Sequence, residues 1–493
     1  MSKHRVMVLA AAAALLLPVA AECGGSREAP GAVSAAAEKA KPTLKYVIVN
    51  AAFDPAQDPA KKVFEERTGY KLEVFMLPAE KPLEKLNIDL ASGTEYDILN
   101  ISRSWYDNLV ANKVLIPLDR LLDQYGANIK AAIGAETWLC TTQDGAIYGV
   151  PKRNPMDTVN DALGVRGDWL DEMGRRVPQT LEEFTAALKA FQDAKKVLPL
   201  TAVAASGQIP TISSAFGVST YWKDVGGTLV PRMKQPGFQE YVAYVAGLYK
   251  AGLLDNEMPV NKSENTNEKL TSGKAAVAPY SWGSAASLRP GLQKNFPKAR
   301  IDIIHPLKGA AGQQEISLNK GLDAVAGIPR MSKHAEDAVK YMNACLDPKN
   351  FKALTIGEEG VHHTADNGKY APLFPKFNEF ANGNYFMNGM IEREYGAYWQ
   401  ARVRKNDDMY ATFAEMMKSA PVGRTDPTAF APSLDKVSKY LNSLKQMEND
   451  YIIMLIAGGE SLSGYDKFLQ DWDKAGGAEM VKQVNDWYRT ARK

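Results

Sequence analysis

Three short stretches that are typical of β-strands, the first of them rich in β-branched residues, alternate with helical segments early in the chain. The stretches cover residues 44–49, 70–75 and 96–101, and helical spacing covers 58–68 and 83–91 between them. Strands that alternate with helices of this length are typical of βαβ units, whose crossover connections produce a parallel sheet. Right-handed crossovers place the helices on both faces of that sheet. The sequence therefore predicts the α/β fold class.

The same type of pattern recurs later in the chain. Residues 322–329 predict another strand and 335–346 a helix, whose Ala338, Met342 and Cys345 lie on one stripe. Thr180 is a predicted N-cap for a helix that begins at Leu181, because hydroxyl side chains accept hydrogen bonds from the first turn. Beyond about residue 385 helical patterns dominate. The apolar stretch 451–457 is too short to span a bilayer and is interpreted as buried core.

The N-terminus has the composition of an export signal. Basic residues at positions 3–5 precede an apolar run at 6–21, which is shorter than the roughly 20 residues of a spanning helix. We expect a signal peptide over 1–22 and a tether over 23–42. Cys23 resembles the lipid-modified cysteine of bacterial lipoproteins, although Glu22 precedes it where a small residue is usual. Cleavage after Ala21 without lipidation is the alternative.

Overall composition excludes some function classes. The 493 residues carry a formal net charge of +2, and basic residues are interspersed with acidic ones, which argues against nucleic acid as the ligand. Apart from Cys23, the chain has Cys140 and Cys345, for which two buried thiols and one disulfide both remain open. The chain shows no serine-nucleophile motif, phosphate loop or metal-ligating His spacing. We therefore expect no cofactor, no metal and no catalytic residue.

Several motifs, in their order along the chain, resemble the extracellular solute-binding proteins of bacterial ABC importers, the group that includes maltose-binding protein. These motifs lie at residues 148–151, 166–174, 177–184, 273–277, 325–344, 357–363 and 464–468. The last two resemble a lipoprotein branch of the family that is associated with oligosaccharides. The similarity covers the chain from about Thr43 to its end.

The resemblance implies a periplasmic-binding-protein-like fold with two discontinuous lobes, a hinge and a cleft between the lobes. Lobe one would comprise 43–157 and 320–384, and lobe two 158–319 and 385–493. Such proteins close around their ligand by hinge motion.

Candidate binding residues are those placed where strands end, because open α/β sheets bind ligands at the carboxyl ends of their strands. An aromatic ring can pack on the apolar face of a sugar while polar side chains bind its hydroxyl groups. Glu358 and His362 are further candidates, because we expect them to order a loop that touches the cleft. The candidates are Asp54, Trp105, Tyr106, Arg153, Asn154, Trp222, Tyr280, Trp282, Glu358 and His362.

The function that the resemblance implies is capture of a carbohydrate, in particular an oligosaccharide, outside the cytoplasm. The expected partners are the ligand, the membrane permease subunits of an ABC transporter and the membrane itself through a lipid anchor, with the protein a monomer. One alternative is the same fold binding a peptide or a polyamine. Another is a secreted carbohydrate-active enzyme, which would need two carboxylates facing one cleft, as in a pairing of Asp54 with Glu358.

Overall fold

The computed structural model describes residues 40–49, 53–78, 80–204 and 208–491. Contacts divide the chain into two units, Met1–Ala40 and Lys41–Lys493, and the fold below is that of the second unit. The predictions for the signal peptide and for Cys23 lie outside the described residues.

The secondary structure is mixed, with strands and helices distributed along the whole unit. The strands are β1 (Thr43–Val49), β2 (Lys71–Leu77), β3 (Ile98–Ile101), β4 (Thr142–Gln143), β5 (Ala146–Ile147), β6 (Val150–Arg153), β7 (Ala162–Arg166), β8 (Leu198–Leu200), β9 (Trp222–Val225), β10 (Thr228–Pro231), β11 (Ala275–Tyr280), β12 (Ile301–Ile304), β13 (Ile316–Ser317), β14 (Leu322–Gly327), β15 (His363–Asp366), β16 (Lys369–Pro372) and β17 (Gly423–Arg424). The helices are α1 (Pro59–Thr68), α2 (Pro82–Ala91), α3 (Arg103–Ala111), α4 (Asp119–Tyr125), α5 (Ala127–Ala132), α6 (Ala135–Leu139), α7 (Gly167–Glu172), α8 (Leu181–Ala190), α9 (Pro210–Ser213), α10 (Phe238–Lys250), α11 (Ser263–Thr271), α12 (Ala285–Asn295), α13 (Ala335–Cys345), α14 (Pro348–Ile356), α15 (Glu392–Val403), α16 (Asp407–Met417), α17 (Asp435–Ala457), α18 (Tyr465–Trp472) and α19 (Ala478–Ala491).

Local sequence accounts for where several helices begin and end. The side chain of Asp58 accepts a hydrogen bond from the backbone N–H of Ala60 at the start of α1, and Gly69 ends this helix with a φ of 73°. Thr180 accepts a hydrogen bond from the Glu183 N–H, 3.2 Å away, which confirms its predicted role as the N-cap of α8. Glu183 in turn accepts a hydrogen bond from the backbone N–H of Gln179, which fixes the chain just before the helix begins.

The first sheet contains five strands in the order β2-β1-β3-β14-β6. Strand β1 pairs in parallel with β2 and β3, which confirms the three-strand parallel pattern predicted from the sequence. Strand β14 joins from much later in the chain and is antiparallel to both β3 and β6. The first-sheet region, meaning this sheet and the helices packed on it, is therefore built from discontinuous parts of the chain.

The second sheet contains four strands in the order β12-β7-β11-β8. Strand β7 pairs antiparallel with β11 and β12, whereas β8 is parallel to β11. The second-sheet region includes the C-terminal helices α17, α18 and α19, whose apolar side chains share one core with this sheet. Tyr451 and Ile452 of α17 are buried in that core, as predicted for the stretch 451–457. Within the described residues, no helix combines the length and apolarity needed to cross a membrane.

Two crossing segments between the regions run side by side. The backbone N–H of Asn154 donates to the carbonyl of Gly321 at 2.8 Å, and that of Asn319 donates to Thr158 at 2.7 Å. These pairs lie next to the predicted lobe boundaries at 157/158 and 319/320. The assignment of the lobes stays a prediction.

The segment around α15 belongs to the core of the first-sheet region. Phe386, Tyr395 and Ala401 pack in one buried cluster with Tyr46 of β1, and the Tyr341 hydroxyl donates to the carbonyl of Phe386 at 3.2 Å. This packing favours a third lobe boundary after Val403 rather than at 384. Sequence pattern alone did not separate α15 from the other C-terminal helices, because helical periodicity indicates a helix but not the sheet against which it packs.

Candidate functional site

A cavity of about 470 Å³, the smaller of two described here, opens between the first- and second-sheet regions. It is lined by the crossing segments, by residues before β7 and after β11, and by α15 with the loops on either side of it. The lining residues are Asn154, Pro155, Thr158, Asn160, Trp282, Asn319, Asp323, Ala381, Asn384, Tyr385, Tyr395, Trp399, Arg402, Val403, Lys405 and Met409. The two sheet regions therefore contribute different walls of one cavity.

Two tryptophans from opposite walls form the aromatic corner of the smaller cavity. Trp282 follows β11, Trp399 belongs to α15, and their rings meet edge to face with centroids 5.4 Å apart. Phe413 of α16 lies behind both rings, at 5.6 Å from Trp399 and 6.1 Å from Trp282. Edge-to-face contacts of this kind stabilise the rings in fixed orientations. Both tryptophans are half-buried, so part of each ring remains available to a ligand.

Asn160 holds Trp282 in place and offers an amide group to the cavity. Its Oδ1 accepts hydrogen bonds from Trp282 Nε1 at 3.2 Å and from the Thr158 hydroxyl at 2.7 Å. Because both bonds use the carbonyl oxygen, the Nδ2 donor remains for a ligand hydroxyl group.

The opposite rim is organised by the buried ammonium of Lys152. Its Nζ donates to the carbonyl of Asn384 at 3.1 Å and lies 3.0 Å from Asp323 Oδ2. The Asn384 Oδ1 accepts from the Tyr395 hydroxyl at 3.3 Å. Asp323 is therefore a fixed and charge-paired acceptor beside the cavity.

Two further cations line the smaller cavity without an acidic partner. Arg402 donates from Nη2 to the carbonyl of Ala381 at 2.7 Å, while its Nη1 is buried without a hydrogen-bond partner. Lys405 keeps contact with solvent, but loss of water around its ammonium lowers the pKa of this group below 10.5. The nearby Arg402 guanidinium lowers that pKa further.

A larger cavity of about 690 Å³ lies beside the smaller one, within the second-sheet region. Asn160 and Trp282 line the smaller cavity, whereas the adjacent Asp161 and Ser281 line the larger. The two cavities are therefore neighbours along the same two segments. The larger cavity is also lined by Gln208, Ile209, Pro210, Thr211, Ser219, Thr220, Tyr221, Arg232, Ser263, Thr266, Asn267, Tyr280, Ser284, Ser317, Lys445 and Asn449, among others.

A buried carboxylate supports one wall of the larger cavity. Oε1 of Glu448 accepts hydrogen bonds from the Tyr221 hydroxyl at 2.7 Å and from Trp472 Nε1 at 2.9 Å. Arg232 lies 3.7 Å from its Oε2. Burial raises the pKa of Glu448 above 4.5, and the neighbouring cation and donors only partly oppose this shift. Asp161 is exposed at the cavity, yet loss of water around its carboxyl raises the pKa of this group too.

Three sequence-predicted residues line these cavities. Asn154 and Trp282 line the smaller cavity, and Tyr280 lines the larger one. The Tyr280 side chain is only 3% exposed, so it offers a ligand little surface. Arg153 lies next to Asn154, where its guanidinium is 3.6 Å from Glu392 and faces the ring of Phe430. The remaining predicted residues lie away from both cavities.

Tyr106 and Trp222, both predicted from the sequence as ligand-binding residues, are core residues in the structure. The Tyr106 side chain is fully buried and its hydroxyl donates to the carbonyl of Thr141 at 2.9 Å. Trp222 is 3% exposed and packs in the core of the second-sheet region. Neither side chain has surface left for a ligand.

Asp54 and Trp105 are accessible but line neither cavity. Asp54 is exposed, and its carboxylate accepts from the backbone N–H of Ala56 at 2.9 Å, as in a local turn. Trp105 on α3 packs against the buried cluster beneath that helix. A position after the carboxyl end of a strand therefore does not bring these two residues to either cavity.

Glu358 and His362 form their own loop network. Glu358 pairs with Arg67 of α1 at 2.7 Å, and the His362 ring accepts from the Glu358 N–H at 3.0 Å. His362 also packs edge-on against Phe380 and lies 3.5 Å from Glu379. The hypothetical acid pair of Asp54 and Glu358 is therefore not brought to one cavity. Among the described residues, no cluster of three His, Cys, Asp or Glu side chains is placed to hold a metal ion.

Sequence reasoning did not single out three further residues that line the smaller cavity, Trp399, Tyr385 and Arg402. Trp399 sits within a helix whose aromatic residues are mostly core, so its sequence context resembles that of its buried neighbour Tyr395. Asn160 was also missed, although its position just after the first crossing segment was a usable signal. Cys140 and Cys345 are both free and buried, which confirms two buried thiols and excludes the disulfide.

Two α/β regions joined by crossing segments, with a cavity between them, define the class of two-lobed proteins that bind a small molecule in their cleft. The family described as bacterial extracellular solute-binding protein matches residues 60–359, and the chain belongs to this family. The fold and the family predicted from the sequence are both confirmed.

Relatives with similar sequences and structures carry names that refer to carbohydrates. The polygalacturonan/rhamnogalacturonan-binding protein YtcQ of Bacillus subtilis (strain 168) is 23% identical, with 100% of both chains covered. The alginate-binding protein AlgQ2 has a TM-score of 0.71 at 18% identity, covering 91% of this chain and 98% of its own. FusA of Streptococcus pneumoniae in complex with kestose has a TM-score of 0.69 at 19% identity, covering 92% of this chain and 99% of its own.

Proposed function

We propose that this protein captures an oligosaccharide between its two lobes and delivers it to the membrane permease of an ABC importer. The observation that carries the proposal is the aromatic corner of Trp282 and Trp399, contributed by opposite walls of the smaller cavity. A sugar ring packed against these two tryptophans would contact both sheet regions at once. Ligand binding would therefore favour the closed arrangement.

The chemistry of the smaller cavity suits a carbohydrate. Sugar rings have apolar faces that pack against indole rings, and hydroxyl groups at their edges that need donors and acceptors. Asn154, Asn160 and Asn384 supply amide groups, and Asp323 supplies a charge-paired acceptor. These amides are already positioned by hydrogen bonds within the protein. They therefore lose little conformational entropy when a ligand binds.

The names of the relatives support the same ligand class. YtcQ is named for two plant polysaccharides, and FusA is described as a fructooligosaccharide ABC transporter substrate-binding protein. An ABC permease as the partner follows from this likeness. A polyamine is not favoured, because the unpaired charges of the smaller cavity are positive.

The location we propose is the outer face of a membrane, with export directed by the signal peptide 1–22. Lipidation of Cys23 would provide the anchor, and the tether 23–42 would leave the receptor free to reach the permease as a monomer. Metabolic labelling with a fatty acid, compared between the native chain and Cys23→Ser, tests the anchor. Equal labelling of both would refute it.

A thermal-shift screen of residues 26–493 against oligosaccharides tests the function. A ligand that binds only the folded state at a hundredfold excess over Kd stabilises it by about 2.7 kcal/mol. We expect a shift with one class of oligosaccharide, which is then recovered intact, and none with peptides or polyamines. Hydrolysis of the sugar would instead indicate an enzyme, and a shift only with a peptide would transfer the proposal to that ligand.

Two tryptophan variants place the ligand. Trp282→Ala should abolish the shift at the same ligand concentration, because it removes one half of the aromatic corner. Trp105→Ala is the matched control, since Trp105 is a half-buried tryptophan that lines neither cavity. Equal loss in both variants would show that the smaller cavity is not the binding site.

A further inference from the structure

The smaller cavity carries an excess of positive charge that the protein itself does not neutralise. Its only carboxylate among the described lining residues, Asp323, is paired with Lys152. Arg402 and Lys405 also line the cavity, and neither has a carboxylate within 4.0 Å in the described part of the chain. The cavity therefore presents two cations to whatever it binds.

Such an arrangement is unfavourable in the absence of a ligand. The two cations repel each other, and the protein around them removes part of the water that would screen this repulsion. The lowered pKa of Lys405 has these two causes. The Arg402 guanidinium is held by the carbonyl of Ala381, so it cannot turn away to find an acidic partner.

The larger cavity lacks this excess. Arg232 there lies 3.7 Å from Glu448, and the carboxylates of Glu448 and Asp426 offset part of the positive charge around Lys445. Asp161 adds a further carboxylate to the walls. An anionic group is therefore favoured at the smaller cavity specifically, next to the aromatic corner.

We propose that the oligosaccharide is acidic, and that Arg402 and Lys405 bind the carboxylate of a uronate residue packed on Trp282 and Trp399. The proposal rests on the oligosaccharide-binding function above. A planar guanidinium matches a carboxylate in geometry, and an ammonium adds charge without strict orientation. Acidic sugars combine that carboxylate with the apolar ring face that the tryptophans require.

The decisive test compares an acidic oligosaccharide with the same oligosaccharide whose carboxylates are neutralised by methyl esterification. Isothermal titration would measure Kd for a trigalacturonate and for its fully methyl-esterified form, in low salt and in 0.5 M NaCl. We expect the acid to bind at least about tenfold more tightly than the ester in low salt, because charge-assisted hydrogen bonds are stronger than neutral ones. The ratio between the two Kd values should become smaller in high salt, because salt screens the attraction between the carboxylate and the cations.

Charge-removing variants assign that preference to the cations. Lys405→Gln should reduce the acid–ester ratio by at least about threefold, because it weakens binding of the acid more than binding of the ester. Lys349→Gln, which removes a lysine that lines neither cavity, should leave the ratio unchanged. Arg402→Lys keeps the charge but loses the planar guanidinium, and should give an intermediate ratio. Thermal unfolding of each variant checks that it is folded.

The possible outcomes separate this inference from the function beneath it. The acidic-ligand proposal is overturned if acid and ester bind equally, if the ester binds more tightly, or if only neutral oligosaccharides bind tightly. In each of these cases the proposed oligosaccharide-binding function still holds. An acid preference that Lys405→Gln and Arg402→Lys both leave unchanged would overturn the assigned residues. Failure of every acidic and neutral oligosaccharide to bind would overturn the proposed function itself.

Discussion

The two neighbouring cavities differ in what holds their walls together. The smaller cavity is lined from both sheet regions, with Trp282 on one wall and Trp399 on the other. The larger cavity is lined by the second-sheet region, where the Glu448 network fixes part of its wall. Only the smaller cavity can change width when the regions move relative to each other. We therefore expect ligand recognition to depend on the smaller cavity and local stability to depend on the larger one.

The largest effect should come from removing the support of the larger cavity. Glu448→Ala leaves Arg232 without its buried counter-charge and leaves two buried donors unpaired, those of Tyr221 and Trp472. We expect a loss of about 3–5 kcal/mol in the free energy of unfolding, measured by urea denaturation. Glu448→Gln keeps an acceptor and should lose less. Equal stability of the alanine variant would show that this wall is not held by the carboxylate.

The next effect concerns α11, which also lines the larger cavity. Asp255 accepts hydrogen bonds from Lys269 of α11 at 2.6 Å, from Thr201 at 2.7 Å and from Asn261 at 2.8 Å. Burial raises the pKa of Asp255, but these hydrogen bonds outweigh it, so the net pKa lies below 3.8. Asp255→Asn should reduce the free energy of unfolding at pH 7 by about 2 kcal/mol.

The pH dependence of this loss has a definite sign. A carboxylate whose folded-state pKa is lowered stabilises the fold above its unfolded pKa, and that stability is lost as pH falls through the folded-state value. The difference in the free energy of unfolding between the native protein and Asp255→Asn should therefore be constant at neutral pH and decrease below pH 3.8. Denaturation curves from pH 7 to pH 3 measure it. A difference that grows on acidification would contradict the hydrogen-bond account.

A matched pair of asparagines compares the two cavities directly. Asn160→Ala removes an amide from the smaller cavity together with the acceptor that orients Trp282, so the affinity for oligosaccharide should fall about tenfold. Asn449→Ala removes an amide from the larger cavity and should leave the affinity for a short oligosaccharide unchanged. Titration calorimetry measures both. The reverse ranking would move the binding site to the larger cavity.

The smallest effect is expected at Asp161. Because its folded-state pKa is raised, the ionised carboxylate slightly destabilises the fold at neutral pH. Asp161→Asn should increase the free energy of unfolding by about 0.3 kcal/mol, a small value because this exposed group is screened by solvent. The gain should disappear once the pH falls below 3.8. Asp193→Asn, at an exposed position outside both cavities, is the control. A decrease in the free energy of unfolding for Asp161→Asn alone would contradict the predicted stabilisation.

Much of the fold followed from local sequence pattern. The parallel pairing of β1 with β2 and β3 and the strand and helix near 322–346 were predicted from alternation and periodicity. These elements are specified by neighbouring residues, which decide where a helix is capped and which face of a strand is apolar. The lining of the smaller cavity followed from the sequence to a lesser extent. The sequence candidates include Asn154 and Trp282 of that lining but not Trp399, Asn160 or Arg402.

Sequence by itself determined the fold class, the family and the helix starts at Asp58 and Thr180, because those depend on residues close together in the chain. Tertiary structure decided that α15 packs with the first-sheet region, which sets Trp399 opposite Trp282 across the cavity. It also decided that Tyr106 and Trp222 are buried while Trp282 is not. The physical reason is that an aromatic side chain has the same local preference in a core as at a binding surface. Only the elements that pack around it determine how much of the ring remains exposed.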